Sequence, residues 1–177
     1  MKSRFGLLVC VAMAVFALVP ASALASSETQ TFELHLEAPN TAQAPNGDTV
    51  AISGEGLFSV HPKSVDAEGV FTHADSGGNV LATGTWTATQ LLAYQSFGCG
   101  VVFGQPIPDN FCGGKVMMGV LLTPDGTTLQ IPAILWVFCI IGDKVPGSAE
   151  EGVRLNVPGI INFNDVTGGD NVYIRTS

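Results

Sequence analysis

The chain has 177 residues, 46% of them hydrophobic and only 12% charged, and its formal net charge is −8 at pH 7. An acidic chain whose basic residues are few and scattered has no electrostatic means of holding nucleic acid, so no nucleic-acid partner is expected. The length allows one domain with a sizeable hydrophobic core.

The N-terminal residues have the pattern of an export signal. Lys2 and Arg4 precede an apolar run, and small residues then offer a cleavage site after Ala25. We therefore predict a signal peptide over residues 1–25 and a single secreted or periplasmic β-barrel domain over residues 26–177. Cleavage changes the formal charge to −10, and no membrane partner is expected after it.

Alternating apolar and polar residues predict strands early in the mature chain. A short strand covers residues 32–37, a loop is predicted from Ala38 to Asp48, and a second strand begins at Val50. Phe58 falls on the apolar face of this second strand and is expected to lie in the interior.

A glycine-rich turn joins the two arms of the strongest hairpin signal, at residues 69–88. A two-residue turn of adjacent glycines would place Phe71 opposite Gly84 and Gly69 opposite Trp86. A slip of one residue would expose the tryptophan, so burial should fix this register. Three aromatic side chains are then predicted to line a ligand cavity, if the interior has one: Phe58, Phe71 and Trp86.

A second hairpin is predicted from Lys115 to Ile141, turned at an Asp-Gly pair that would set Leu122 opposite Leu129. Its second face, the outer apolar face, is too apolar to leave in water. It consists of Met117, Leu121, Ile134, Trp136, Phe138 and Ile140. Either a second copy of the chain or the predicted long loop over residues 95–114 should cover it.

Three cysteines follow the signal, and an oxidising compartment favours pairing two of them. Cys99 and Cys112 bracket a loop rich in Gly and Pro and are the favoured pair, although the sequence leaves the pairing open. Cys139 lies in an apolar run and is expected to behave as a small buried hydrophobe. The cysteine spacings match no zinc pattern, and neither a metal nor a cofactor is expected.

The segments together predict an all-β protein. We count about eight strands joined mostly in sequence, which favours an antiparallel meander closed into a barrel. The architecture, though not the motifs, is similar to that of calycins and of barrels of the allene oxide cyclase and dirigent type.

Four segments carry a resemblance to a known group of proteins: Gly69–Asp75, Gly84–Thr89, Cys139–Pro146 and Glu151–Val153. Their pattern, GVFTHxD followed by GTWTAT, resembles small secreted bacterial β-rich proteins of uncharacterised function. The resemblance implies an exported β-rich domain and assigns no activity.

His73 is the histidine with the best claim to chemistry. By the alternation it shares the face of Phe71 and Trp86, at the turn end of the hairpin, with Asp75 two residues on. Two hypotheses follow. The chain is a non-catalytic binding or structural barrel whose interior takes a small apolar ligand or simply packs. Alternatively, it is a barrel isomerase or cyclase that uses His73 for proton transfer.

Overall fold

The computed structural model describes residues 29–177. This part of the chain has no helix, and so it contains no helix that could cross a membrane. Its twelve strands are β1 (Thr31–Gln43), β2 (Thr49–Ser59), β3 (Ser64–Ala74), β4 (Val80–Cys99), β5 (Val101–Val102), β6 (Gln105–Pro106), β7 (Phe111–Pro124), β8 (Ile131–Cys139), β9 (Gly152–Val157), β10 (Ile161–Phe163), β11 (Asp165–Gly168) and β12 (Asn171–Arg175). The predicted signal peptide and its cleavage site lie outside the described residues.

Antiparallel pairing joins ten strands in one sheet, in the order β10-β9-β8-β7-β12-β1-β2-β3-β4, with β11 beside β1. The sheet closes on itself because β7 pairs with β4 along one edge and with β12 and β8 along the other. Six strands therefore form a ring, and β8, β9 and β10 continue the sheet beyond it. The predicted antiparallel barrel is confirmed, although its closed ring has fewer strands than the expected count of about eight.

The register of the first hairpin is as predicted. Gly69 lies opposite Trp86 and Phe71 opposite Gly84. The turn differs from the prediction, because Gly78 bonds back to Asp75 and the loop is one residue longer than two glycines. A register shift after His73 absorbs the extra residue, so the buried face is kept.

Trp86 on β4 lies across glycines on the two strands beside it, β3 and β2. Gly69 pairs with Trp86 on one side and with Gly54 on the other. The indole is 1% exposed, and its Nε1–H donates to the carbonyl of Ser53 at 3.0 Å. Glycines are required beneath it, since a Cβ on Gly54 would lie 2.5 Å from the indole ring.

Aromatic side chains fill one end of the closed six-stranded barrel. Phe32 and Phe58 stack at 4.9 Å, Tyr94 lies 5.1 Å from Phe58, and Tyr173 meets Phe58 edge-on at 5.5 Å. Tyr173 is fully buried, and its hydroxyl donates to the carbonyl of Val137 at 2.8 Å. The hydroxyl is thereby satisfied inside the core.

The first part of one predicted loop and both ends of another belong to strands. β1 continues to Gln43, because a register shift between Leu36 and Asn40 restores inward alternation and pairs Thr41 with Ala51 of β2. The segment predicted as a loop over 95–114 begins with the end of β4 and finishes with the start of β7, paired through irregularities that break the period of two. The residues between these strands, 100–110, leave the main sheet and contain the short pair β5–β6. Sequence periodicity cannot follow a strand across such bulges.

The second hairpin is shifted by two residues from the prediction. Leu122 pairs with Ile131, and Leu129 is exposed in the turn. The pairing of β7 with β4 continues into the predicted turn, where Pro124 lies opposite Gly84 and the amide of Asp125 donates to the carbonyl of Thr83. A shift of two keeps every side chain on its predicted face.

Gly69→Ala should destabilise the fold. The new Cβ would meet the carbonyl oxygen of Ser53 and would lie 2.6 Å from Nε1 of Trp86, which we expect to cost about 1–3 kcal/mol or more in urea unfolding. Gly147→Ala is the matched control, because a Cβ there meets no atom within 4 Å. Equal stability of the two variants would contradict the tight packing under Trp86.

Candidate functional site

His73 lies near the turn end of β3 and is engaged by another side chain. Its Nε2–H donates to Oδ2 of Asp48 at 3.0 Å, and its ring meets that of Phe163 edge-on at 5.3 Å. The two side chains of the pair are 24% and 15% exposed. An aspartate that orients a histidine is an element of acid–base sites, but the same contacts suit a structural histidine.

Asp75, which the sequence places next to His73, serves its own turn. Its Oδ1 accepts hydrogen bonds from the amides of Gly77 at 2.9 Å and Asn79 at 2.8 Å. Hydrogen bonds from the side chain and then the backbone of Asn79 lower the pKa of the Asp75 carboxyl. Asp48 was missed as the partner because it lies 25 positions away in sequence.

Phe58, Phe71 and Trp86, the predicted cavity residues, are all buried, at 1%, 6% and 1% exposure. Phe58 belongs to the aromatic cluster, and Trp86 lies over the glycines. Two clefts of about 470 Å³ open elsewhere, one against Ser53 and Val70 and one beside Pro45.

The favoured disulfide between Cys99 and Cys112 is confirmed, and it joins residues directly opposite each other on β4 and β7, with Cα atoms 3.9 Å apart. Such a bond is compatible with an oxidising compartment. Cys139 is a free, buried thiol. Burial, followed by the charge of Glu151, raises its pKa to about 12, so the thiolate nucleophile is not formed near neutral pH.

Glu151 joins the ends of three strands through a partly buried carboxylate. It accepts hydrogen bonds from the amides of Ile140 at 2.6 Å and Asn171 at 2.9 Å. Burial raises the pKa of this carboxyl to about 7, in spite of both amide donors and with a small contribution from Asp170. Sequence reasoning missed Glu151, because a glutamate ahead of an alternating strand is typical of a solvated residue.

The six side chains of the outer apolar face are half-buried and project from β7, β8 and the residue after β8, away from the core. The segment over 141–150 packs at one end of this face together with Phe97, which belongs to the predicted loop over 95–114. Its Lys144 amide donates to the carbonyl of Phe97, which is 2% exposed, and Pro146 and Ala149 line a cleft with Phe97 and Phe138.

Beyond that segment, the outer face holds an aromatic cleft of about 280 Å³. It is lined by Lys115, Trp136, Phe138, Arg154 and Asn164. A smaller cleft of about 180 Å³ shares three of these residues. The lining follows from the pairing of β7, β8 and β9, which sets Lys115 opposite Phe138 and Trp136 opposite Arg154.

Arg154 is held in place over the aromatic floor. Its guanidinium carbon lies 5.2 Å from the centre of the Phe138 ring, within the range of a cation–π contact. Its Nη2 is 3.6 Å from a carboxylate oxygen of Glu150. Aromatic surface, two cations and the amide of Asn164 therefore converge on one depression, the usual composition of a small-molecule site.

Among residues 29–177, no three His, Cys, Asp or Glu side chains are arranged to hold a metal ion. No family model, curated protein or solved structure matches the chain.

Glu151→Gln should change how stability depends on pH. Folding raises the pKa of this carboxyl from 4.5 to about 7, so the folded state binds the proton more tightly than the unfolded state. The contribution of Glu151 to the free energy of unfolding is therefore greatest below pH 4.5, falls as the pH rises to about 7 and is constant above that. We expect the wild type to lose up to about 2–3 kcal/mol relative to the variant across this window, after allowance for partial exposure.

Urea unfolding at a series of pH values measures this difference. Glu150→Gln is the control, since Glu150 is 59% exposed and should leave the wild-type profile unchanged. Parallel profiles of wild type and Glu151→Gln would show that Glu151 is not the titrating group.

His73→Ala should lower the free energy of unfolding by about 1–3 kcal/mol, because it leaves the Asp48 carboxylate without its donor. A double-mutant cycle with Asp48→Asn should give a coupling of about 1 kcal/mol. His35→Ala is the control, because its contact with Glu33 is longer, at 3.5 Å, and more exposed, and should cost less than about 0.5 kcal/mol. A coupling energy near zero would mean that the His73–Asp48 pair does not stabilise the turn end of β3.

Proposed function

We propose that the protein is an exported, non-catalytic barrel that binds a small ligand with an apolar ring. The observation that carries the proposal is the aromatic cleft, where Trp136 and Phe138 stay partly open beside Arg154 and Lys115. The Cys99–Cys112 disulfide supports the export, as does the resemblance to small secreted proteins.

An outer binding site fits the packing better than an interior one. The aromatic residues predicted to line an interior cavity are committed to the core, with Phe58 stacked on Phe32 and Trp86 over Gly69. The side chain of Trp136 instead packs against the sheet on one side and faces solvent on the other. Large aromatic groups left in a concave, partly open position favour ligand binding, because covering them removes apolar area from water at about 25 cal/mol per Å².

The alternative is a barrel isomerase or cyclase with His73 as its proton-transfer residue. The hydrogen bond from His73 to Asp48 favours it, because an oriented imidazole can act as a general base. Against it, the His73 imidazole is already hydrogen-bonded to Asp48 and packs edge-on against Phe163. Loss of a reaction, rather than loss of binding, in His73→Ala would support this alternative.

The two tryptophans report on the two possible sites. In ¹H–¹⁵N NMR of the chain from Ser26, we expect 2-naphthalenemethanol, a neutral ring compound, to move the indole signal of Trp136 and to leave that of Trp86 unchanged. Trp136→Ala should abolish the remaining shifts at Phe138 and Arg154. Leu57→Ala is the control, since Leu57 is 46% exposed on another part of the surface.

Shifts confined to Trp86 and its neighbours would place the ligand inside the barrel and overturn the outer site. Sedimentation of the same sample tests the second-copy prediction for the outer apolar face. A stable dimer that protects Trp136 and admits no probe would replace ligand binding with self-association.

A further inference from the structure

Positive charge is concentrated at the aromatic cleft of an otherwise acidic protein. Within residues 29–177 the basic side chains are Lys63, Lys115, Lys144, Arg154 and Arg175. Two of these five line the same cleft, on β7 and β9 at either side of Phe138. The Glu150 carboxylate, which is 59% exposed, is the acidic group that pairs with Arg154 there.

Arg154 has hydrogen-bonding capacity that the described residues do not use. Its Nε is buried without a hydrogen-bond acceptor among them, and its contact with Glu150 is 3.6 Å long. A buried donor without an acceptor is costly and therefore uncommon. The planar guanidinium fork matches the two oxygens of a carboxylate.

The floor beneath these cations suits a flat ring. Trp136 and Phe138 are two residues apart on β8 and so project on the same side. The cleft volume of about 280 Å³ exceeds the volume of about 150 Å³ that accommodates benzene in a protein interior. A single ring with a short acidic side chain is therefore of the right size.

We propose that the ligand of the aromatic cleft is a small carboxylic acid with a flat ring, whose carboxylate is bound by Arg154 and Lys115 while the ring lies against Trp136 and Phe138. This inference rests on the proposed function and names its ligand class.

A second copy of the chain fits this cleft less well. A two-fold contact brings the same patch of both copies together. It would set Arg154 and Lys115 of one copy near those of the other, and like charges in a contact oppose association. A small anion neutralises the same two cations.

Two probes of nearly the same shape, one a charged carboxylate and one a neutral amide, test the proposal. At pH 7, 3-phenylpropanoate should bind about tenfold more tightly than 3-phenylpropanamide, with both followed by the Trp136 indole signal. Arg154→Gln should remove most of the advantage of the acid over the amide. Lys115→Gln should act in the same direction, and it provides a second variant if Arg154→Gln folds poorly.

Arg175→Gln is the matched control, because Arg175 is exposed on β12 and its guanidinium bonds to the carbonyl of Asp109. It should leave the affinity of both probes unchanged. Equal binding of acid and amide, unaffected by Arg154→Gln, would overturn the carboxylate assignment and leave the proposed function standing. Failure of both probes and of 2-naphthalenemethanol to move Trp136 would overturn both.

Discussion

The packing of Trp86 over Gly69 and Gly54 is the contact on which the rest of the barrel depends. Three strands meet at this row, and only glycines let the indole approach the neighbouring backbones closely enough to donate to the carbonyl of Ser53. The contact fixes the register of β2, β3 and β4 together, since a slip of one residue would expose the indole and bury threonines. With that register set, β4 presents the edge on which β7 pairs.

β7 then determines where the aromatic cleft lies. Because β4 covers one edge and β12 and β8 share the other, β7 both closes the ring and begins the extension through β8, β9 and β10. The extension has an inner face that joins the core and an outer face that the ring cannot cover. The segment over 141–150 covers one end of it, and the aromatic cleft remains beyond. The cleft is thus a result of the way the sheet closes.

Polar side chains hold the strand ends where the backbone ladder stops. Glu151 accepts hydrogen bonds from the amides of Ile140 and Asn171, at the end of β8 and the start of β12. Asp48 and His73 tie the turn after β1 to the end of β3. The raised pKa of Glu151 follows from the burial that this role requires, so a perturbed carboxyl in this protein has a structural explanation and does not by itself indicate catalysis.

The sequence by itself determined the strands with clear alternation, the buried face of the Phe71–Trp86 hairpin, its register and the favoured disulfide. These depend on local periodicity, on burial of one tryptophan and on a short loop between two cysteines. Only the tertiary structure decided the path of β1 past Leu36, the two-residue shift of the second hairpin and the pairing of His73 with Asp48. It also brought Lys115, Phe138 and Arg154 to one cleft. Each of these depends on contacts between residues far apart in the chain, and periodicity carries no information about which strands become neighbours or where a bulge resets the alternation.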